Sequence, residues 1–392
     1  MAEDFVRPSQ AIEFDDETLR DGLQSPSVTD PPIQRKIEIL HLMDALGIQS
    51  ADIGLPGAGP RAVADVERLA REIVSAGLSI RPNCAARTLR QDVDPIADIS
   101  DAVGIAIEAC TFIGSSPIRQ YVEGWDLDRI CRLAEESVRY AVGRGLPVMM
   151  VTEDTTRARP ESLERIYTVA IEAGARRICL ADTVGHATPD GVRNLVRFAR
   201  ALVARTGEDV KLDWHGHRDR GLGLPNALTA IVNGADRIHG TGLGVGERVG
   251  NTEMDLLLVN LKLLGWIDND LTRLGEYCAT IAEATGVPLP VNYPVVGRDA
   301  FRTGTGVHAA ALIKAREKGD AWLADRIYCG VPASMVGREQ EIEVGHMSGA
   351  SNVIWWLRTN GYDATEERVQ RIFGHAKKSD RTLTRREIEE LI

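Results

Sequence analysis

The sequence predicts an α/β protein: a (β/α)8 barrel followed by a small, mostly helical C-terminal domain. Three observations carry that prediction. Short apolar or β-branched runs alternate with amphipathic helical stretches at a spacing of roughly 25–35 residues. Gly47, Gly77, Gly145, Gly174 and Gly234 each stand between a helical stretch and a strand-like one, where glycine commonly stops a helix. Polar residues able to do chemistry collect where the strand-like runs end, the face on which barrel enzymes keep their sites.

The eight strand-like runs fall at residues 11–14, 50–53, 79–82, 102–107, 147–151, 177–180, 210–213 and 237–239. Of the helical stretches, residues 33–46 line up Ile37, Leu40, Met43 and Leu46 as one apolar stripe on a charged background; residues 163–173 and 192–202 repeat that periodicity. Eight such units over about 260 residues suit a closed barrel, and no G-x-G-x-x-G follows the first strand, which weakens the competing doubly wound sheet. After Gly265 the pattern changes. Pro288-Leu-Pro-Val-Asn-Tyr-Pro294 cannot continue a helix and reads as a linker, with helices expected at 308–318, 351–360 and 366–377. The expected division is a catalytic barrel over 1–287 and a linker with a helical domain over 288–392.

Composition narrows the class of partner. A net charge of −11 argues against general nucleic-acid or anionic-membrane binding, while leaving room for a local basic pocket. Six scattered cysteines without a C-x-x-C pair read as reduced, mostly buried thiols. The N-terminus shows no positive-then-apolar leader and no run approaches transmembrane length, so a cytoplasmic enzyme is expected.

The segment Asp213-Trp-His-Gly-His217 reads as the end of the seventh strand. His215 and His217, two residues apart, then share one face, and Gly216 between them adds no bulk. Two adjacent imidazoles are ready metal ligands. Thr18-Leu-Arg-Asp-Gly22 ends the first strand with an acid beside a guanidinium, so Asp21, His215 and His217 are expected to hold a divalent metal with Arg20 next to it. Glu153 and Asp154 end the fifth strand, and Asp182 and Thr183 the sixth. Odd-numbered strands share interior layers of a barrel, so Asp21, Glu153 and the two histidines can converge. Asp15, Asp16 and Glu17 read as solvated or loop-bracing, His186 and His239 as hydrogen-bonded rather than ligating, and Thr183 has an alternative as a helix cap.

These segments together resemble the DRE-TIM metallolyase family, which includes 2-isopropylmalate, homocitrate and citramalate synthases and hydroxymethylglutaryl-CoA lyase. The resemblance is carried by Phe14-Asp-Asp-Glu-Thr-Leu-Arg-Asp-Gly-Leu-Gln24, Thr152-Glu-Asp-Thr-Thr-Arg157, Ala181-Asp-Thr-Val-Gly185, His215-Gly-His-Arg-Asp-Arg-Gly221 and Gly244-Val-Gly-Glu-Arg-Val-Gly-Asn251, in that order. It implies a divalent ion (zinc, manganese, magnesium and cobalt all suit) and acetyl-CoA as co-substrate. It also implies Asn251 as a further ligand or amide near the metal, and Thr183 as a hydrogen-bond donor to the substrate carboxylate. Gln24 and Arg218 are assigned to the substrate, Arg20 to the developing alkoxide, and Glu153 to positioning a water or the thioester.

Leu23 after Arg-Asp-Gly is what the family's lyases show, but the loop after the eighth strand lacks their cysteine. Phe301-Arg-Thr-Gly-Thr-Gly-Val-His308, Tyr328 before Val331-Pro, and Gly345-His-Met-Ser-Gly349 resemble synthase features beyond the barrel. The resemblance therefore implies a synthase that condenses acetyl-CoA with a 2-oxo acid, with His308 and Tyr328 taking the methyl proton. A homodimer whose C-terminal domain reaches the partner barrel is implied too. Met149, where homocitrate synthases carry an arginine, predicts an apolar pocket; Arg218, Arg220 and Arg119 leave an anionic 2-oxo acid open. A CoA lyase and a non-catalytic metabolite-binding barrel are the alternatives. The chain shows no long regulatory domain of the leucine-inhibited kind, so that form of feedback is not expected.

Overall fold

The computed structural model describes residues 7, 8 and 10–392. The leader-free stretch read from the sequence falls largely on residues 1–6, outside the described residues. Two compact units are present: Met1–Asp270 with Glu276–Pro288, and Leu271–Gly275 with Leu289–Ile392.

In the first unit eight parallel strands close into a barrel in chain order. They are β1 (Glu13–Asp16), β2 (Ser50–Asp52), β3 (Arg81–Arg87), β4 (Glu108–Gly114), β5 (Val148–Glu153), β6 (Arg177–Asp182), β7 (Lys211–Gly216) and β8 (Arg237–Gly240). Closure pairs β1 with both β2 and β8, setting Asp15 opposite Ser50 on one side and His239 on the other. Helices follow the strands as the (β/α)8 reading requires, among them Ile33–Ala45, Pro160–Glu172 and Pro189–Thr206. The five helix-stopping glycines all take positive φ, from 65° at Gly77 to 117° at Gly174. Thr188, not Thr183, caps the helix Pro189–Thr206, accepting the Gly191 amide at 3.3 Å.

Two strands lie elsewhere than the apolar runs place them. The run 102–107 is the end of the helix Arg90–Val103 and its Gly104 stop, and β4 begins only at Glu108. The run 79–82 overlaps only the start of β3. The cause is the barrel interior. Successive strand side chains alternate between the two faces. Phe14, Leu212, Trp214 and Ile238 are fully buried on one set of positions; on the other set Asp15, Asp213, Arg237 and His239 are equally buried and charged or polar. A strand whose inward residues are Glu108 and Cys110, or Asn83, does not announce itself by hydrophobicity.

The second unit has its own cores. Val344, Val353, Leu357, Val369, Ile372, Leu383 and Ile388 form one, joined by Trp356; Ala309, Leu312 and Ile313 form another, joined by Trp355. Both tryptophans are thus engaged within this unit. Its helices Gly306–Glu317, Ala350–Thr359 and Glu366–Ala376 match the expected ones closely, and its sheet is a two-stranded parallel pair, Arg302–Thr303 with Glu341–Ile342. Among the described residues no helix is long and apolar enough to cross a membrane.

Candidate metal centre

A cavity of about 300 Å³ opens where the barrel strands end. Its polar part is Glu17, Arg20, Asp21, Asp52, His215, His217 and His239; its wall includes Leu55, Ala85, Cys110, Phe112, Met149 and Val151. Gln24, Glu153 and Thr183 also line it.

The expected triad meets. Asp21 Oδ2 lies 3.6 Å from His215 Nε2 and 3.4 Å from His217 Nε2. These separations are long for hydrogen bonds, but two ligands each bonded at about 2.1 Å to one ion stand roughly 3–3.5 Å apart. Asp21 Oδ2 is buried without a hydrogen-bond partner, as is Asn251 Oδ1. A buried, unpartnered carboxylate oxygen beside two imidazole nitrogens fits a cation. Burial alone would raise the Asp21 pKa, but the charge of Arg20 and the two histidines hold it well below the usual carboxylate range. Gly216 is required between the histidines, since a Cβ there would stand 2.9 Å from Trp214 Nε1.

Asn251 is set beside His217 because the loop after β8 is zipped to the end of β7. The Arg218 amide donates to Gly250 O at 3.0 Å and the Thr252 amide to Gly216 O at 2.9 Å, setting Asn251 opposite His217. Gly250 makes this turn at φ 98°, and a Cβ on it would fall 1.8 Å from Gly244 O. Gly250→Ala is therefore expected to displace Asn251 and to weaken zinc binding, measured by titration against a chromophoric chelator, while the far-ultraviolet circular dichroism of the barrel stays unchanged.

Arg20 is held by three carboxylates: Nε to Asp52 Oδ2 at 2.7 Å, one terminal nitrogen to Glu17 Oε2 at 2.5 Å, and the other 3.5 Å from Asp21 Oδ1. Burial opposes its charge, but Glu17, Asp52 and Asp21 more than compensate and keep it protonated. Asp52 is pushed up to about 7 by burial, with Arg20 opposing and Glu17 and Asp15 adding to the rise.

Of the two readings given for Glu17, Asp15 and Asp16, the solvated one requires correction, since they are 3 %, 0 % and 0 % exposed, while Asp16 does brace its loop by accepting the Thr18 amide at 2.9 Å. Glu17 Oε1 accepts from His239 Nδ1 at 2.6 Å, and His239 Nε2 donates to Asp213 Oδ2 at 2.9 Å. Desolvation disfavours the charged imidazole of His239, yet its bonds to Asp213 and Glu17 push its pKa up to about 10. With both ring nitrogens donating, His239 has no lone pair for a metal. It is a hydrogen-bonded residue, as expected, but one that lines the cavity.

Thr183 Oγ1 accepts the Asp154 amide at 2.8 Å, leaving its hydroxyl hydrogen to donate elsewhere. Its carbonyl is tied to Arg248, which also grips Asp219 at 2.8 Å. Glu153 Oε1 lies 3.2 Å from Arg119 Nε; burial raises its pKa against the pull of Arg119, helped by Asp154, Glu123 and Glu247. Arg218 does not line the cavity, contrary to its assignment to the substrate. Its guanidinium binds Glu253 and the carbonyls of Val249 and Leu243, bracing the loop. Arg220 is likewise turned to His186 O. In the second unit, the exposed rings of His308 and Tyr328 stack with centroids 4.2 Å apart. Sequence reasoning named Glu17 and His239 without placing them at the cavity and did not weigh Arg248; the signal for Glu17 was its place inside the Phe14–Gln24 stretch.

The HMGL-like family description matches residues 11–280. The chain is 34% identical over 374 residues to the homocitrate synthase AksA of Methanopyrus kandleri, covering 94% of this chain and 88% of that protein. It is 31% identical over 394 residues to the 2-isopropylmalate synthase of Pyrococcus furiosus, covering 98% and 76%. The hydroxymethylglutaryl-CoA lyase of Pseudomonas aeruginosa superposes with a TM-score of 0.60 at 17% identity, over 75% of this chain and 98% of that one, a likeness of fold. A barrel closed in this order, motifs that meet at its strand ends and relatives alike along most of their length lead to one conclusion: the chain belongs to the HMGL-like family of DRE-TIM metallolyases.

Proposed function

We propose that this protein condenses acetyl-CoA with a 2-oxo acid bearing an apolar side chain, giving a 2-substituted malate and free CoA. One observation carries the reading: Arg20 and the Asp21, His215, His217 cluster sit together in a cavity that also presents an apolar stretch of Leu55, Ala85, Phe112, Met149 and Val151. The synthase names of the relatives support the condensation. Met149, Val151, Phe112 and Leu55 offer a distal carboxylate no cationic partner, and Arg218 is occupied by Glu253.

Asp21, His215 and His217, with the amide oxygen of Asn251, would hold a divalent ion, and its chemistry there would be Lewis acidity toward the keto group. Arg20, fixed by Asp52 and Glu17, presents its charge to the keto oxygen as negative charge develops there. The Thr183 hydroxyl donates to the substrate carboxylate. His308, stacked on Tyr328, removes a proton from the acetyl methyl group. The enolate carbon bonds to the keto carbon, the alkoxide gains a proton, and water cleaves the thioester to release the thiol.

The test is thiol release from acetyl-CoA in the presence of zinc, manganese, magnesium or cobalt. The 2-oxo acids are pyruvate, 2-oxoisovalerate, oxaloacetate, 2-oxoglutarate and phosphonopyruvate. The highest kcat/KM is expected with an apolar-chain acid, and a chelator is expected to abolish it. A preference for 2-oxoglutarate or phosphonopyruvate would overturn the apolar assignment. Cleavage of a 3-hydroxyacyl-CoA without any condensation would make the protein a lyase.

A further inference from the structure

Glu17 carries more contacts than a brace for its own loop needs. Its Oε2 accepts from Arg20 at 2.5 Å and lies 3.2 Å from His215 Nδ1; its Oε1 accepts from His239 Nδ1 at 2.6 Å. His239 then reaches Asp213 at 2.9 Å, and Asp213 is anchored by Arg177 and Arg237, each at 2.6 Å. A chain of buried contacts thus runs from the barrel floor to a histidine of the metal cluster.

We propose that Glu17 is a positioning residue for both halves of the site, and that His239 is the clamp that holds Glu17 in place. The inference rests on the metal reading of Asp21, His215 and His217. A carboxylate at Nδ1 selects the tautomer of His215 that keeps a lone pair on Nε2, the atom facing Asp21. The same carboxylate binds a terminal nitrogen of Arg20 while Asp52 holds Nε, so the guanidinium has one orientation. Glu17, His215 and His239 also bring ligand atoms within 4.8 Å of one another. That set does not make a second metal site, because both nitrogens of His239 already donate to carboxylates.

The experiment compares zinc binding by the whole protein and by Glu17→Gln, Glu17→Asp, His239→Gln and the double variant E17Q/H239Q, by competition with a chromophoric chelator and with no substrate present. Glu17→Gln is expected to weaken zinc binding by about 10–100-fold, the usual effect of removing a ligand's hydrogen-bond partner. Glu17→Asp should recover part of that loss. Because His239 acts through Glu17, the double variant should lose no more than Glu17→Gln alone. It also leaves no uncompensated imidazolium, so it remains informative where the single variant folds poorly. Zinc binding by Glu17→Gln at the parent affinity, or fully additive losses in the double variant, would overturn the proposal. Asp21→Asn is the companion arm. If it binds zinc as tightly as the parent, the metal reading fails and the positioning role with it; if it loses zinc while Glu17→Gln does not, only the positioning role fails.

Discussion

Arg20→Ala is expected to lower kcat for thiol release by about 100- to 1000-fold while zinc affinity stays close to that of the parent. The magnitude is that of removing one preorganised donor aimed at developing negative charge. Metal retention follows from the ligand set, since Asp21, His215 and His217 are all left in place. The fold should tolerate the change because the three carboxylates around Arg20 have other recourse. Asp52, already near 7, takes up a proton when its opposing cation goes. Glu17 keeps His239 and the nearby His215, and Asp21 keeps the metal. KM for the 2-oxo acid should change far less than kcat, because the stabilisation is made chiefly in the transition state. Arg20→Lys should not restore turnover: one ammonium cannot hold Asp52 and Glu17 at two edges and still face the substrate. Unchanged turnover in Arg20→Ala would take the residue out of the reaction, and loss of zinc would make it a structural support.

The parts of this molecule that follow simple rules were legible before the fold was known. Helices with an apolar stripe and a glycine stop, such as Ile33–Ala45, obey periodicities that survive in any soluble context. The histidine pair was legible because strand geometry alone sets two side chains two residues apart on one face. Asp21 was legible because it ends the first strand, on the face where the histidine pair ends the seventh. What could not be read was the inside of the barrel. The sequence rule that buried means apolar places Asp15, Glu17, Asp213 and Arg237 at the surface, and they are among its most buried residues. Their burial depends on partners supplied by distant parts of the chain, 222 residues away in the case of Glu17 and His239. The same cause displaced β3 and β4, whose inward positions carry Asn83 and Glu108 in place of aliphatic residues. Arg218 failed for a related reason: an arginine beside a metal motif looks like a substrate ligand until Glu253, 35 residues on, is seen to claim it.

That charged interior makes the second large effect a matter of stability. Arg237→Met is expected to destabilise the barrel by about 3–5 kcal/mol, the cost of removing one partner from a buried ion pair. Arg237 is 3 % exposed and binds Asp213 Oδ2 and Glu108 Oε2, both at 2.6 Å, with Ser50 Oγ at 3.3 Å. Methionine fills much the same volume and supplies none of these donors. Burial by itself raises the pKa of Asp213; Arg237, then Arg177 and His239, reverse this and hold it well below the ordinary carboxylate range. The sign of the pH dependence follows. A carboxyl group whose folded pKa lies below its unfolded value of about 3.9 stabilises the fold above that pH, and the contribution is lost as pH falls through the folded pKa. Without Arg237 much of that contribution is missing, so the gap between parent and variant should be widest at neutral pH and should narrow below about pH 4. A chain of two compact units need not unfold in one step, so the measurement should report on the barrel itself: hydrogen exchange of the β7 and β8 amides at several pH values. A variant whose deficit stayed constant from neutral to acid pH would show that shape, not charge, is what Arg237 contributes to the barrel floor.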